Sequence, residues 1–128
     1  MHYIFGSKKL FFDTVHAIKV RLRIGGKLFG VVPDSDMIMM DTPFKDHLGN
    51  HMTRGPKTGH GDFGEKVFVF LSDTPYFKDG AMAEPIAYKD HLVTHLEHAG
   101  IVLDRWTPCE GPEKITRMYS EFVFTRVF

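Results

Sequence analysis

The stretch that decides the fold is Lys66–Leu71, which reads Lys-Val-Phe-Val-Phe-Leu. β-Branched and aromatic residues dominate it, and no glycine or proline interrupts it, so it predicts a strand. Alternate side chains of a strand point to opposite faces, which places Val67 and Val69 on one face and Phe68 and Phe70 on the other. Both faces are therefore apolar, as in a strand that is buried on two sides.

A helix and two strands are predicted after this stretch. Pro85 suits the first turn of a helix that ends near Ala99, where Gly100 stops it. The apolar stripe of this helix consists of Tyr88, Leu92, Leu96 and Ala99. Residues 101–106 predict a short strand, and residues 115–128 predict a long, bulged final strand.

The first element of the chain has two interpretations. Apolar residues recur at helical spacing, Ser7 can cap a helix, and Gly25-Gly26 can end it. The residues of this stripe are Phe11, Val15, Ile18 and Leu22. Residues 18–24, however, also alternate as in a strand, and the glycine pair can form a hairpin turn. We prefer the helix, because one strand over residues 10–24 would far exceed the usual strand length.

Residues 27–64 predict two short strands and a long loop. Leu28–Val32 forms a strand that Pro33 ends, and the turn chemistry of Pro33–Asp36 leads to a second strand at Met37–Met40. Thr42–Gly64 contains five glycines, two prolines and three histidines without a sustained period. Loops of this length in compact domains usually bind something, so this segment is a predicted contact.

These elements together predict an α+β fold in the order α-β-β-loop-β-α-β-β, as a single domain over residues 1–128 with its long loop at 42–64. The sheet is mixed or antiparallel, with two helices on one face. Burying apolar surface contributes about 25 cal/mol per Å². The face that the helices leave uncovered therefore predicts self-association or a permanent partner, unless the long loop folds over it.

Composition excludes several classes of function. Lys+Arg and Asp+Glu are 16 each, so the chain has no net positive charge that would attract it to nucleic acid or to a membrane surface. No apolar run is long enough to span a bilayer, and the first residues lack a secretion signal. Cys109 is the only cysteine and cannot form an internal disulfide, which indicates synthesis in a reducing compartment.

The eight histidines raise the question of metal or catalytic chemistry. His91, His95 and His98 fall at i, i+4 and i+7 on the second predicted helix, a spacing that can hold zinc. No cysteine pair or well-placed carboxylate supports them. His51-Met-Thr53 lacks the second copy that acid–base phosphoester chemistry needs, and no histidine activates Cys109. We therefore predict no catalytic residue, no metal and no cofactor, and keep a histidine-rich metal-binding protein or metal-dependent enzyme as the alternative.

Two stretches carry a further indication of function. In Gly26–Asp36 a short strand ends in a Val-Pro turn after an amphipathic helix, and in Arg54–Ser72 a polar loop enters an aromatic strand. A helix at 81–98 and two strands around the charged turn at 110–114 follow. This order resembles the tail-completion or tail-terminator proteins of tailed bacteriophages.

The resemblance implies a structural virion protein without enzyme activity. It would form a ring, typically a hexamer, that ends the tail tube in the virion tail or neck after synthesis in the host cytoplasm. Its implied partners are further copies of itself, the tail tube protein and a neck or head-connector protein, with possible proximity to DNA and no membrane. The predicted interface residues are Phe44, His51, Arg54, Lys57, His60, Phe63, Phe68, Phe70, Phe122 and Phe124. Lys19, Arg21 and Arg23 of the first helix are predicted to face DNA or an acidic neighbour.

Overall fold

A computed structural model describes residues 5–41, 44–45, 48–55, 63–72, 82–111 and 114–128 of the chain. The α-helices are α1 (Lys8–Arg21), α2 (Ser35–Asp41) and α3 (Lys89–His98). The strands are β1 (Lys27–Pro33), β2 (Phe44–Lys45), β3 (His51–Arg54), β4 (Lys66–Phe70), β5 (Met82–Pro85), β6 (Ile101–Pro108) and β7 (Tyr119–Arg126). A 3₁₀-helix, Lys114–Met118, precedes β7. Among the described residues, no helix combines the length and apolarity that crossing a membrane requires.

The strands form two antiparallel sheets in the described part of the chain. The first sheet has the order β1-β7-β6, and the second has the order β2-β3-β4-β5. This arrangement confirms the predicted α+β fold class. The aromatic strand with two apolar faces, β4, lies inside the second sheet, and the chain's final strand, β7, lies at the centre of the first.

The first sheet and helices α1 and α3 share one core. The Ser7 side chain caps α1 by accepting a hydrogen bond from the Leu10 backbone N–H at 3.1 Å, which confirms the helical interpretation of the first element. The buried side chains of this core include Phe11 and Val15 from α1, Leu92 and Leu96 from α3, and Phe122 and Phe124 from β7. Both helices therefore cover the same face of the first sheet.

The second sheet has a smaller core of its own. Val67 and Val69 of β4 are fully buried with Met52, Ile38 of α2 and Met118 of the 3₁₀-helix. Phe68, on the opposite side of β4, is 39% exposed. The sequence thus identified two apolar faces on this strand correctly, but one of the two faces is partly open to solvent.

Several predicted elements are wrong in detail. Met37–Met40 belongs to α2 and not to a strand, because the Asp34 carbonyl accepts from the backbone N–H of Met37 and Ile38 and starts a helical turn. The first part of the predicted final strand is the 3₁₀-helix. The long loop contains β2 and β3, and α3 starts four residues later than Pro85, which ends β5.

A buried carboxylate, Asp34, holds the end of β1 in place. Asp34 is 3% exposed, and its Oδ2 accepts hydrogen bonds from Trp106 Nε1 at 2.9 Å and from Ser120 Oγ at 2.6 Å. Its Oδ1 accepts from the backbone N–H of Asp36 at 3.0 Å, at the start of α2. A single side chain therefore connects β1, β6, β7 and α2.

Replacing this carboxylate by an amide tests its role. Asp34→Asn keeps the size, but its NH₂ group must replace either Oδ2, which accepts from Trp106 and Ser120, or Oδ1, which accepts from the Asp36 N–H. In either orientation at least one donor loses its acceptor. We expect a loss of about 1–3 kcal/mol in the free energy of unfolding, measured by urea denaturation. Asp13→Asn, at an exposed position of α1, is the control and should unfold as the parent does. Equal stability of the two variants would contradict the role assigned to Asp34.

Candidate functional site

The carboxyl end of β1 is attached to the segment that leads into α3. The Ala87 backbone N–H donates to the Pro33 carbonyl at 2.9 Å, and the Ser35 N–H donates to the Ala87 carbonyl at 3.0 Å. Asp34 and Ala87 form an isolated parallel bridge between these hydrogen bonds. As a result, the first turn of α2 and the first turn of α3 lie side by side.

A cleft lies between these two turns. It has a volume of about 190 Å³ and is lined by Ser35, Asp36, Tyr88, Lys89, Asp90 and His91. Whole-ligand pockets usually measure about 300–1,000 Å³, so this cleft fits one group of a larger ligand. We take it as the candidate functional site.

Two side-chain hydrogen bonds position the walls of this region. Arg54 Nη2, at the end of β3, donates to the Tyr88 hydroxyl at 3.1 Å. The Tyr119 hydroxyl of β7 donates to Glu84 Oε2 of β5 at 2.6 Å. Each hydrogen bond links a residue of the second sheet to a residue outside it. The cleft therefore lies where the two halves of the fold are joined.

The cleft contains groups that can take part in proton transfer. The carboxylates of Asp36 and Asp90 and the imidazole of His91 line it, and side chains of these types serve as general acids and bases in enzymes. Lys89 supplies a positive charge, with its Nζ 5.8 Å from the centre of the Trp106 ring. This combination suits a polar substrate group that must be held and deprotonated.

An aromatic wall continues from His91 toward the start of α1. The His91 ring lies 5.3 Å from the Phe63 ring and 6.2 Å from the His95 ring, and His95 lies 4.7 Å from Phe12. Desolvation lowers the pKa of His95, and the charges of His91, His98 and Lys8 lower it further.

Burial and the charge of Glu121 raise the pKa of the Cys109 thiol, which argues against a nucleophilic cysteine.

A larger pocket, of about 320 Å³, opens at the start of α1. Gly6, Ser7, Lys8, Phe63 and Gly64 line it, away from the carboxyl end of any first-sheet strand. The neighbouring Glu65 is 4% exposed, and within the described residues its Oε2 has no hydrogen-bond donor. The pocket offers one charged group, Lys8, so we assign the functional site to the smaller and more polar cleft.

The structure places the predicted interface residues in several different locations. Arg54 contacts the cleft wall through Tyr88, and His51 stacks on Phe70 with 5.0 Å between ring centroids. Phe63, Phe122 and Phe124 are buried inside this chain, and their part in an interface stays a prediction. Phe68 and Phe70 belong to the second sheet and Phe122 and Phe124 to the first, so they do not share one face. Lys57, His60 and the side chain of Phe44 lie outside the described residues.

The predicted metal candidates are close together but do not form a site. His95 lies between His91 and His98, with ring centroids 6.2 Å and 6.5 Å away. No cluster of His, Cys, Asp or Glu in the described residues has the geometry to hold a metal ion.

The basic residues of α1 lie away from the cleft. Lys19 Nζ donates to the Phe128 carbonyl at 3.0 Å, while Arg21 and Arg23 are exposed. Their orientation toward DNA or an acidic neighbour stays a prediction.

Sequence reasoning missed the residues that build the cleft. Asp34, Ser35 and Asp36 were interpreted as a turn between two strands, and Tyr88 as part of an apolar helix stripe. The available signal was an acidic Asp-Ser-Asp sequence directly after an apolar strand that ends in proline. Binding residues are often found on the segments that connect strands and helices.

Comparison with known proteins bears on the fold. No protein-family model and no curated protein matches the sequence. Among solved structures, the CcbJ methyltransferase from Streptomyces caelestis superposes with a TM-score of 0.57 at 12% identity, over 98% of this chain and 58% of that protein. An S-adenosylmethionine-dependent methyltransferase from Clostridium acetobutylicum superposes with a TM-score of 0.52 at 12% identity, over 97% of this chain and 53% of that protein.

This chain shares the fold of these methyltransferases. It spans a little more than half the length of each matched protein. Both of these matched proteins are methyltransferases, whereas the sequence led us to expect a structural protein of the phage virion. The expectations of a structural virion role and of no enzyme activity are therefore wrong.

The hydrogen bond between Tyr119 and Glu84 can be tested by a double-mutant cycle. Tyr119→Phe and Glu84→Gln each weaken it, and each should lower the free energy of unfolding by about 1 kcal/mol. The double variant should lose less than the sum of the single losses, because both changes affect the same contact. Strict additivity in urea denaturation would show that the two side chains do not interact.

The electrostatic coupling between the histidines predicts a pKa change. His91→Gln removes one of the charges that lower the pKa of His95, so NMR titration should show this pKa moving up toward about 6.5. His16→Gln, on α1, is the control and should leave the pKa of His95 unchanged. The unfolded chain binds this proton more readily than the folded chain does. His95 therefore contributes fully to the stability of the fold above about pH 6.5, and this contribution is lost as the pH falls below that value. An unmoved titration of His95 in His91→Gln would contradict the coupling.

Proposed function

We propose that this chain is part of an S-adenosylmethionine-dependent methyltransferase and that its cleft holds the methyl acceptor. The observation that carries the proposal is the superposition of 98% and 97% of the chain on two methyltransferases. Fold alone does not determine function, so the position of the cleft matters as well. The cleft lies beyond the end of β1, between the first turns of two helices, and it presents acidic and basic groups.

S-adenosylmethionine itself does not fit the described part of this chain. Adenosine cofactors in open α/β folds are held where a glycine-rich turn leads from a strand into a helix. After β1 that turn is the buried Asp34, and α2 has only seven residues. Gly25, Gly26 and Gly64 precede strands and Gly55 follows β3, and none of these four glycines lies in a turn that leads directly from a strand into a described helix. We therefore assign to this chain the acceptor side of the reaction and not the cofactor cradle.

The cleft residues suit the requirements of an acceptor. A nitrogen or oxygen that is to be methylated must present a lone pair and give up a proton to a nearby base. Asp36, Asp90 and His91 are available as bases, and the hydrogen-bonded hydroxyl of Tyr88 and the ammonium group of Lys89 can orient a polar acceptor. Fixing the acceptor in the correct orientation contributes a large part of the rate enhancement.

A radioactive transfer assay tests this function. The protein, purified from the cells that produce it, is incubated with S-adenosyl-[methyl-³H]methionine and with nucleic acid, protein and small-molecule acceptors. We expect tritium in one acceptor class, and at least a roughly tenfold lower rate when both cleft carboxylates are replaced in Asp36→Asn/Asp90→Asn. Asp13→Asn is the control and should keep the parent rate. Transfer to none of the acceptor classes by folded protein, or equal rates in all three proteins, would contradict the proposal.

A further inference from the structure

Three histidines of α3 form a row along one side of the helix. His91, His95 and His98 fall at i, i+4 and i+7, which brings their side chains to the same face. The ring centroid of His95 is 6.2 Å from that of His91 and 6.5 Å from that of His98. We call these three residues the histidine row. Its middle member, His95, is half-buried.

Aromatic rings at the start of α1 pack on His95. Its ring lies 4.7 Å from Phe12 and 5.5 Å from Phe11, and both contacts are edge-to-face. Phe11 is fully buried and Phe12 is 38% exposed, so these contacts lie at the border of the core. The Phe63 ring is 5.3 Å from Phe11 and 5.3 Å from His91. The start of α1 therefore rests on α3 through a surface of apolar rings and imidazoles.

The charged groups that act on His95 are all positive. They are His91 and His98 on α3 and Lys8 on α1. A positive charge on the His95 ring would be repelled by each of them, and it would also lose part of its hydration against the phenylalanine rings. The contact with α1 therefore favours an uncharged His95.

The carboxylates of the surrounding elements do not offset this repulsion. Asp13 forms an exposed ion pair with a lysine of the same helix, α1. Asp90 and Glu97 are five residues before and two residues after His95, so they point away from it by at least about 140° of helical arc. Glu65, near the Phe63 ring in the sequence, is not among the groups that act on His95 either.

His91 differs from His95 because it also lines the cleft. Asp36 and Asp90 line the cleft with it, so a positive charge on His91 has acidic neighbours. The response of the α1 contact to pH is therefore assigned to His95.

The far end of α1 is held by groups that do not titrate near neutral pH. Arg126 Nη1 donates to the Lys19 carbonyl at 2.9 Å and also to the Leu22 carbonyl. The Gly25 N–H donates to the Arg126 carbonyl at 2.8 Å. An arginine stays charged at every pH at which the protein is folded. A change of pH therefore acts on the start of α1 and not on its end.

Protonation weakens the contact between the start of α1 and α3. The pKa of His95 is lowered in the packed state because desolvation and the neighbouring positive charges disfavour the imidazolium. Once α1 has moved away, His95 regains an ordinary pKa near about 6.5. The released state therefore gains stability over the packed state as the pH falls below about 6.5, and the packed state is fully favoured above that value.

We propose that the contact of His95 with the start of α1 is a pH-dependent switch, which holds residues 8–12 on α3 at neutral pH and releases them in acid. Release removes Phe11 and Phe12 from the aromatic wall that continues from His91 and the cleft. The shape of this wall, and with it the surroundings of the cleft, then depends on pH. The switch does not rest on the proposed function, because it involves no substrate and no cofactor.

Amide hydrogen exchange of the 128-residue chain at two pH values tests the switch. Rates at about pH 5.5 and about pH 7.5 are each corrected for the intrinsic exchange rate at that pH. The Phe11 N–H donates to the Ser7 carbonyl at 3.0 Å in the first turn of α1. We expect the protection of the Phe11 and Phe12 amide groups to be at least about threefold lower at the lower pH. The protection of Ile18, in the last turns of α1, should stay the same.

Two variants and one control assign the effect to His95. His95→Phe keeps an aromatic ring that cannot gain a proton, so Phe11 and Phe12 should be equally protected at both pH values. Lys8→Gln leaves every ring in place and removes one positive charge, so the loss of protection in acid should be smaller than in the parent. His16→Gln, at an exposed position of α1, is the control and should behave as the parent does.

Four results would overturn the proposal. Equal protection of Phe11 in the parent at both pH values would show that the contact does not respond to acid. An equal loss at Ile18 would indicate unfolding of the whole helix, and a parent-like loss in His95→Phe would assign the response to another group. Stronger protection in acid would show that the attraction of the imidazolium to the Phe12 ring exceeds the repulsion.

Discussion

The position of every element near the candidate site depends on the buried carboxylate of Asp34. Its two oxygens accept hydrogen bonds from Trp106, Ser120 and the backbone N–H of Asp36, so β6, β7 and α2 meet at the end of β1. A buried charge is tolerated because several donors satisfy it, and removing a single donor or acceptor is costly. The neighbouring backbone bonds to Ala87 then bring α3 alongside α2. The cleft is a consequence of this fixed strand end.

Part of this fold could be predicted from the sequence, and the physical reasons are local. Helix α1 has a capping serine and a regular apolar stripe, and β4 has alternating valine and phenylalanine, so both were identified. The helical turn at Met37 was not identified from the sequence. Its start depends on Asp34, whose conformation is fixed by Trp106 and Ser120, which are distant in the sequence. The division into two sheets was also missed, since it depends on which strands pair and not on the strands themselves. The cleft depends on the helical turn at Met37 and on the pairing of the strands, and both are determined by residues far apart in the sequence. No local pattern could therefore reveal it.

The apolar surface of the first sheet was anticipated, but its cause was misinterpreted. Phe122 and Phe124, which we expected at an interface, are buried under α1 and α3, whereas Phe29 and Val31, which we had not selected, are exposed. Alternation along paired strands explains the difference, because β1 and β7 each have one side on the helices and one side away from them. Self-assembly into a ring was one explanation for unshielded apolar residues. The excess of apolar surface is thus present in the structure, but on other residues than those selected from the sequence.

The central claim is that the Asp34 carboxylate fixes the end of β1 and, through it, the positions of α2 and α3 beside the cleft. Amide hydrogen exchange tests this most directly, by comparing the parent chain with Asp34→Asn. The account predicts that the amide groups of Ser35, Ile38 and Ala87, whose hydrogen bonds join these segments, exchange faster in Asp34→Asn than in the parent. Equal exchange rates of these three amide groups in the two proteins would contradict it.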